Sequence, residues 1–299
     1  MRTSRFWQRP AFWGFLFISP WLVGYLLFTL GPMLGSLGLS FCRYDLANLK
    51  AVGADNYVRL FTKDPLFWKA LWNTATYTLF AVPLGLTGSL LLAVLLNHKV
   101  RGLALYRTLY YIPSLVPAVA TALLWNWVFN ANFGILNNSL RSAGIANPPA
   151  WLQDPNWALP AFIIMSLWGI GGGRMIIFLA GLQGISDSYY EAAELDGAGA
   201  WSKFRHVTLP MLTPMIFFNM VLGIVGSFQV FTTAYIMTGG GPANATLFYV
   251  LYLFRQAFEE FRMGYASAMA WVLFVILLAF TGIQFWQAKR WVHYEGELR

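Results

Sequence analysis

Glu191, Ala192, Ala193 and Gly197, followed by Leu209 and Pro210, are the residues whose types and spacing carry the most chemical information in this sequence. A carboxylate next to two alanines gives a thin helix edge with one strong acceptor. Such an edge can enter a groove on another protein and take a charge-assisted hydrogen bond from a basic group there. Gly197 permits a backbone turn that side-chain-bearing residues resist, and Pro210 stiffens the chain that follows it. Each residue taken singly reads equally well as a helix cap or a helix end, so only the joint spacing points to docking. A second group is polar but sits in apolar runs: Arg174, Asn219, Gln229 and Thr233. An arginine at a bilayer-spanning helix centre costs on the order of 2.5–3.5 kcal/mol. Arg174 therefore either snorkels or bonds a backbone carbonyl, or it faces a solute path and contacts hydroxyls or an anionic group. Asn219, Gly223, Gly226, Val230 and Thr233 fall on one helical face with Gln229 at its edge, which suits a path lining and a packing stripe equally.

Other chemistries are missing from the sequence. No G-x-x-x-x-G-K-[ST] loop occurs, so ATP phosphates have no such cradle. The glycine run from Gly169 to Gly173 ends in Arg174 and reads as close helix packing. His98, His206 and His293 have no metal-ligand spacing, and Cys42 is the only cysteine. The apolar runs hold no carboxylate pair for acid–base work. No catalytic residue, metal or cofactor is expected.

The elements that must position these residues follow from composition. Of 299 residues 58% are hydrophobic and 11% charged, where a soluble domain carries roughly a quarter charged. Fourteen Trp and fourteen Tyr suit aromatic belts at two membrane interfaces. The net charge of +8 would suggest nucleic acid for a soluble protein. Here the basic residues lie in short connectors, where they set topology, so membrane lipid is the expected partner and nucleic acid is not. Uncharged runs predict an all-α integral membrane protein with six spans, near 11–41, 70–97, 108–130, 159–182, 213–237 and 265–288. Trp125 and Trp168, in the third and fourth, suit core packing better than stacking on sugar rings. Arg2, Arg5 and Arg9 precede the first span, which is too long for a cleaved leader's apolar region. Lys and Arg favour inner connectors only slightly when both termini are placed inside.

The connector 183–212 between the fourth and fifth spans is rich in helix formers. It predicts a short helix over "SDSYYEAAELDG", with Ser188 and Glu191 at capping-box spacing and Gly197 at its end. A second short helix is expected from Ala200 to Val207. The stretch "LFYVLYLFRQAFEEFR" is too charged at its end to cross and predicts a surface or partly inserted helix.

The spacing Glu191-Ala192-Ala193, three residues, Gly197, nine residues, Val207-Thr208-Leu209-Pro210 resembles the cytoplasmic-loop motif of permeases in binding-protein-dependent ABC importers. Val207 replaces the usual isoleucine, Ser186 stands where proline is frequent, and Asp196 and Ala198 extend the match to an "EAAxxDGA" form. "MIIFLAGLQGIS", "FQVFTTAYIMTGGGP" and "YRTLYYIPSLVPAVATALLWNWVF" are similar to carbohydrate permeases of the maltose and glycerol-3-phosphate type. The resemblance implies a single six-span permease domain in the plasma (inner) membrane of a prokaryote, pairing with a second, homologous permease. It also implies two ATP-binding subunits, docked at Glu191, Ala192, Ala193, Asp196, Gly197, Leu209 and Pro210, and an extracytoplasmic substrate-binding protein. The docking loop is then cytoplasmic, as are both termini. An ion-coupled secondary transporter is the alternative, although such proteins usually carry more ionisable groups inside their spans than Arg174 alone.

Overall fold

The computed structural model describes residues 10–98 and 101–293. Arg2, Arg5 and Arg9, expected before the first span, and Lys99, expected to close the second, lie outside the described residues. In chain order the helices are α1 (Pro10–Tyr25), α2 (Gly31–Ser40), α3 (Asp55–Thr62), α4 (Pro65–Asn97), α5 (Leu103–Tyr111), α6 (Ala118–Val128), α7 (Ile135–Ser142) and α8 (Pro155–Ser166). They continue with α9 (Gly173–Gly184), α10 (Asp187–Leu195), α11 (Ala200–Lys203), α12 (Leu209–Met211), α13 (Thr213–Phe228), α14 (Thr232–Met237), α15 (Tyr249–Phe254) and α16 (Met263–Trp291). Among the described residues one hairpin interrupts them, Cys42–Tyr44 antiparallel to Leu49–Ala51.

Among the described residues four helical segments are long and apolar enough to cross a membrane: Phe12–Ser40, Pro65–Asn97, Thr213–Met237 and Met263–Trp291. Two helix pairs pass the same test jointly, so the span count is four, or six if each pair is one crossing. Leu103–Leu115 meets Ala118–Val128 at 96°, and Pro155–Gly169 meets Gly173–Gly184 at 46°. The first bend has a local cause. Pro117 forces Val116 out of the helical region, and Val116 sits at ψ 125°. The second falls in the glycine run, where Gly172 is extended at ψ −150°. The third and fourth apolar runs, expected as continuous spans, are thus sharply broken helices.

Chain contacts cluster into two units. In the unit made of Met1–Asp64 and Leu253–Phe274, Asn56 ties the hairpin to α2. Its Nδ2 donates to the carbonyls of Ser40 and Cys42 at 2.8 and 2.9 Å. Trp271 Nε1 donates to Ser36 Oγ at 3.1 Å. The stretch expected to form a surface or partly inserted helix is α15 continued by a π-helical turn, Arg255–Glu259.

The second unit, Pro65–Tyr252 with Val275–Arg299, is organised around α4. Leu92, Ala93 and Leu96 of α4 pack with Met175, Phe178 and Leu182 of α9 and with Leu212 in one buried cluster. Helix α13 lies along α4 as well, joined by Thr78 Oγ1 and Ser227 Oγ at 2.8 Å. Gly171 lets the α8–α9 break press against α5, because a side chain there would collide with the Tyr110 carbonyl. The loop after α14 is anchored by Asn73 of α4, whose Nδ2 donates to the carbonyls of Asn244 and Leu247 at 2.8 and 3.1 Å. Asn73→Leu keeps the branched heavy-atom shape but strands both carbonyls in a buried site, at a cost of about 1–3 kcal/mol. The expected outcome is a lower thermal midpoint in detergent, by roughly 2–4 °C for each kcal/mol lost.

Candidate functional site

The connector between α9 and α13 folds as a short, exposed helix on a buried footing. Helix α10 starts after Ser186, which is extended at φ −64°, ψ 135° and accepts a hydrogen bond from the Ser188 N–H at 3.4 Å. Ser186 is therefore the N-cap. Ser188 lies inside the helix, and the capping box expected between Ser188 and Glu191 does not form. The other end is a Schellman closure. Gly197 N–H donates to the Glu194 carbonyl and Ala198 N–H to the Ala193 carbonyl, both at 2.9 Å, with Gly197 at φ +79°. Gly197 thus does what its position in the sequence predicted, and Asp196 is the residue immediately after the last helical turn.

The inward side of α10 is tied down. Tyr190 Oη bonds Thr208 Oγ1 at 3.0 Å, and Lys203 Nζ pairs with Glu194 Oε1 at 2.5 Å. Tyr190 and Val207 also pack on the buried cluster containing Leu182, Ile185 and Leu212. The outward side carries Glu191, Ala192 and Leu195, related by three and four residues and therefore on one face. Glu191 and Ala192 are exposed, and Ala193 is turned partly inward. Leu195 is 90% exposed although it sits on a helix tethered by two side-chain contacts. Sequence reasoning missed Leu195. A leucine one turn past Glu191 on the same face was the available signal. Leu209 and Pro210 do not join that face. They are half-buried at the base of the connector, where Thr213 Oγ1 donates to the Pro210 carbonyl and accepts the His293 N–H. The second short helix expected to run from Ala200 to Val207 is α helical only through Lys203, and Phe204–Thr208 is a π turn.

The second site is a cavity of ≈ 600 Å³ between α4, α8, α9 and α13. Arg174, at the start of α9, and Asn219 of α13 both border it, together with Tyr77, Ser114, Ser166 and Ser227, which sequence reasoning did not single out. Asn219 is 1% exposed and donates through Nδ2 to the Met215 carbonyl at 3.0 Å. Gln229 and Thr233 are not part of this wall. Helix α13 stops at Phe228, and Phe231 at φ −136°, ψ −66° breaks the chain before α14. The expected single face from Asn219 to Thr233 is therefore interrupted, because its helical phase is lost at the break. Gly226 and Val230 still border the cavity. Trp125 and Trp168 pack edge to face at 6.2 Å between centroids.

Apolar helices long enough to cross a bilayer define a multi-pass membrane protein, and its connector carries a tethered, outward-facing helix. The chain belongs to the family described as binding-protein-dependent transport system inner membrane component, which matches residues 85–293. It is the permease subunit of an ABC importer. Family membership displaces the ion-coupled secondary transporter as a reading. Among similar proteins, Probable ABC transporter permease protein YesP of Bacillus subtilis (strain 168) is 46% identical over 99% of this chain and 97% of its own length. The lactose transport system permease protein LacF of Rhizobium radiobacter is 38% identical over 92% and 94%. The trehalose/maltose transport system permease protein MalF of Thermococcus litoralis is 32% identical over 93% and 94%. A solved bacterial ABC transporter that imports the acidic polysaccharide alginate has a chain of the same fold. Its TM-score is 0.83 at 24% identity, covering 96% of this chain and 99% of that one.

Proposed function

We propose that this chain forms half of the translocation path for a saccharide and acts as a single permease domain in a prokaryotic inner membrane. An extracytoplasmic binding protein delivers the solute, and a second, homologous permease supplies the other half of the path. ATP is hydrolysed on two separate subunits, and this chain performs no catalysis of its own. The ATPase subunits dock on residues 186–210, and their closure pulls the connector and rocks the spans between outward and inward access. The observation that carries the reading is α10, an exposed helix closed at Gly197 and fastened to the buried cluster through Tyr190. A force applied to its outer face is thereby passed to α9 and α13. This orientation puts the connector and both termini in the cytoplasm. The saccharide class is supported by the lactose and trehalose/maltose systems named for two of the relatives.

The test is co-expression with the ATPase, partner permease and binding protein, followed by reconstitution in proteoliposomes. Uptake and substrate-stimulated ATPase activity across a panel of saccharides are the expected results. Uptake by this chain alone, driven by an ion gradient with no ATPase present, would overturn the reading.

A further inference from the structure

The tertiary structure places Arg174, half-buried, against glycines of two neighbouring helices. Its guanidinium lies in a slot that they border. A Cβ at Gly85 of α4 would stand 2.6 Å from Nη1, and one at Gly223 of α13 would stand 3.6 Å from Nη2. A side chain at Gly85 would collide with the guanidinium, and one at Gly223 would stand in ordinary contact with it. Among the described residues the ion pairs are Lys203–Glu194, Arg255–Glu259 and Arg262–Glu260, so none involves Arg174. No carboxylate borders the cavity either. The positive charge is therefore held between helices with no counter-charge among the described residues, a costly arrangement when nothing else fills the site.

The rest of the wall suits a polyhydroxylated molecule. Ser114 and Ser166 donate their hydroxyl hydrogens to carbonyls of their own helical turns at 2.7 and 2.6 Å, leaving oxygen lone pairs to accept from sugar hydroxyls, whereas the Ser227 oxygen is already engaged by Thr78 Oγ1. Gly169, Gly173 and Gly226 border the cavity with open space where a side chain would project. The cavity's ≈ 600 Å³ lies within the range of about 300–1,000 Å³ common for ligand sites. The start of α9 adds partial positive charge of the same sign as Arg174.

We propose that Arg174 makes this cavity an oxyanion site and that the imported solute is an anionic saccharide, one bearing a carboxylate, phosphate or sulfonate group. The proposal rests on the saccharide-importer reading above. The guanidinium fork takes the oxyanion in a bidentate pair, and the Ser114 and Ser166 oxygens accept from ring hydroxyls. A neutral sugar fills the same space but leaves the charge uncompensated, so it is discriminated against.

The experiment uses the reconstituted complex with its binding protein. Probes are digalacturonate, its neutral counterpart galactobiose of the same linkage, galactose 6-phosphate and sulfoquinovose. We expect at least one anionic probe to be taken up and galactobiose to be refused, and the active probe identifies the oxyanion. Arg174→Gln is expected to lower uptake of that probe about 10–100-fold, and Arg174→Lys to retain part of it by keeping the charge without the fork. Uptake of galactobiose with refusal of every anionic probe would overturn the proposal and leave the importer reading standing. An Arg174→Gln variant that imports the anion at the wild-type rate would overturn it as well. Should that variant fail to assemble, the wild-type comparison of charged and neutral probes decides alone. Refusal of all saccharides, charged and neutral, would bring down the saccharide reading itself and the proposal with it.

Discussion

Replacing Gly197 with valine is expected to cut substrate uptake by about tenfold or more, while the chain still inserts and folds. The left-handed conformation at this position, φ +79°, costs an ordinary L-residue roughly 1–2 kcal/mol, and each 1.4 kcal/mol is a factor of ten in population. A β-branched side chain is worse placed there than an unbranched one. The penalty is conformational and not steric, since a Cβ at Gly197 would meet nothing within 4 Å. The loss therefore falls on the Schellman closure, which holds the Glu194 and Ala193 carbonyls, and not on the packing of the spans. Asparagine tolerates the left-handed region better than other residues with side chains, so Gly197→Asn is expected to keep most of the activity. Uptake and substrate-stimulated ATPase in proteoliposomes measure the effect, with helical content as the check on folding. Equal activity in the valine and wild-type proteins would show that the turn at Gly197 plays no part in coupling.

Leu195→Asp is expected to abolish retention of the ATPase subunits on purification. Burying a leucine side chain contributes about 1.5–3 kcal/mol, and an aspartate buried in its place adds the cost of an unpaired charge. Together these exceed a hundredfold in association. The free chain should be indifferent, because Leu195 is 90% exposed and removing it opens no cavity. That contrast separates an interface role from a structural one: thermal stability of the isolated permease stays unchanged while subunit retention is lost. Leu195→Met, which preserves apolar area, should retain the subunits. Full retention by the aspartate variant would mean that the ATPase does not bind the face shared by Glu191, Ala192 and Leu195.

Several parts of this protein were readable from the chain alone, and they share a physical cause. Whether a run of residues can sit in hydrocarbon depends on its own side chains and length, so the apolar runs and the all-helical class needed no tertiary information. The positive φ of Gly197 is equally local, since glycine adopts the left-handed turn that ends α10 at no steric cost. The Glu191–Pro210 spacing is legible because its residues are close in sequence and sit on one short connector.

What the tertiary structure decided involves positions far apart or the outcome of competing local preferences. Val116, extended ahead of Pro117, turned an apolar run that could have been one straight crossing into two helices at 96°. The break at Phe231 removed Thr233 from the face of Asn219, because helical periodicity carries no information across a non-helical residue. Ser186 took the cap that Ser188 was spaced for. Which way Leu195 faces depended on Tyr190 and Lys203 holding the opposite side of α10. Arg174 shows the limit most sharply. Its sequence neighbours said only that a charge lay in an apolar run. The slot that receives it is bordered by Gly85 and Gly223, on two other helices, and only their packing against α9 turns a half-buried arginine into a candidate site.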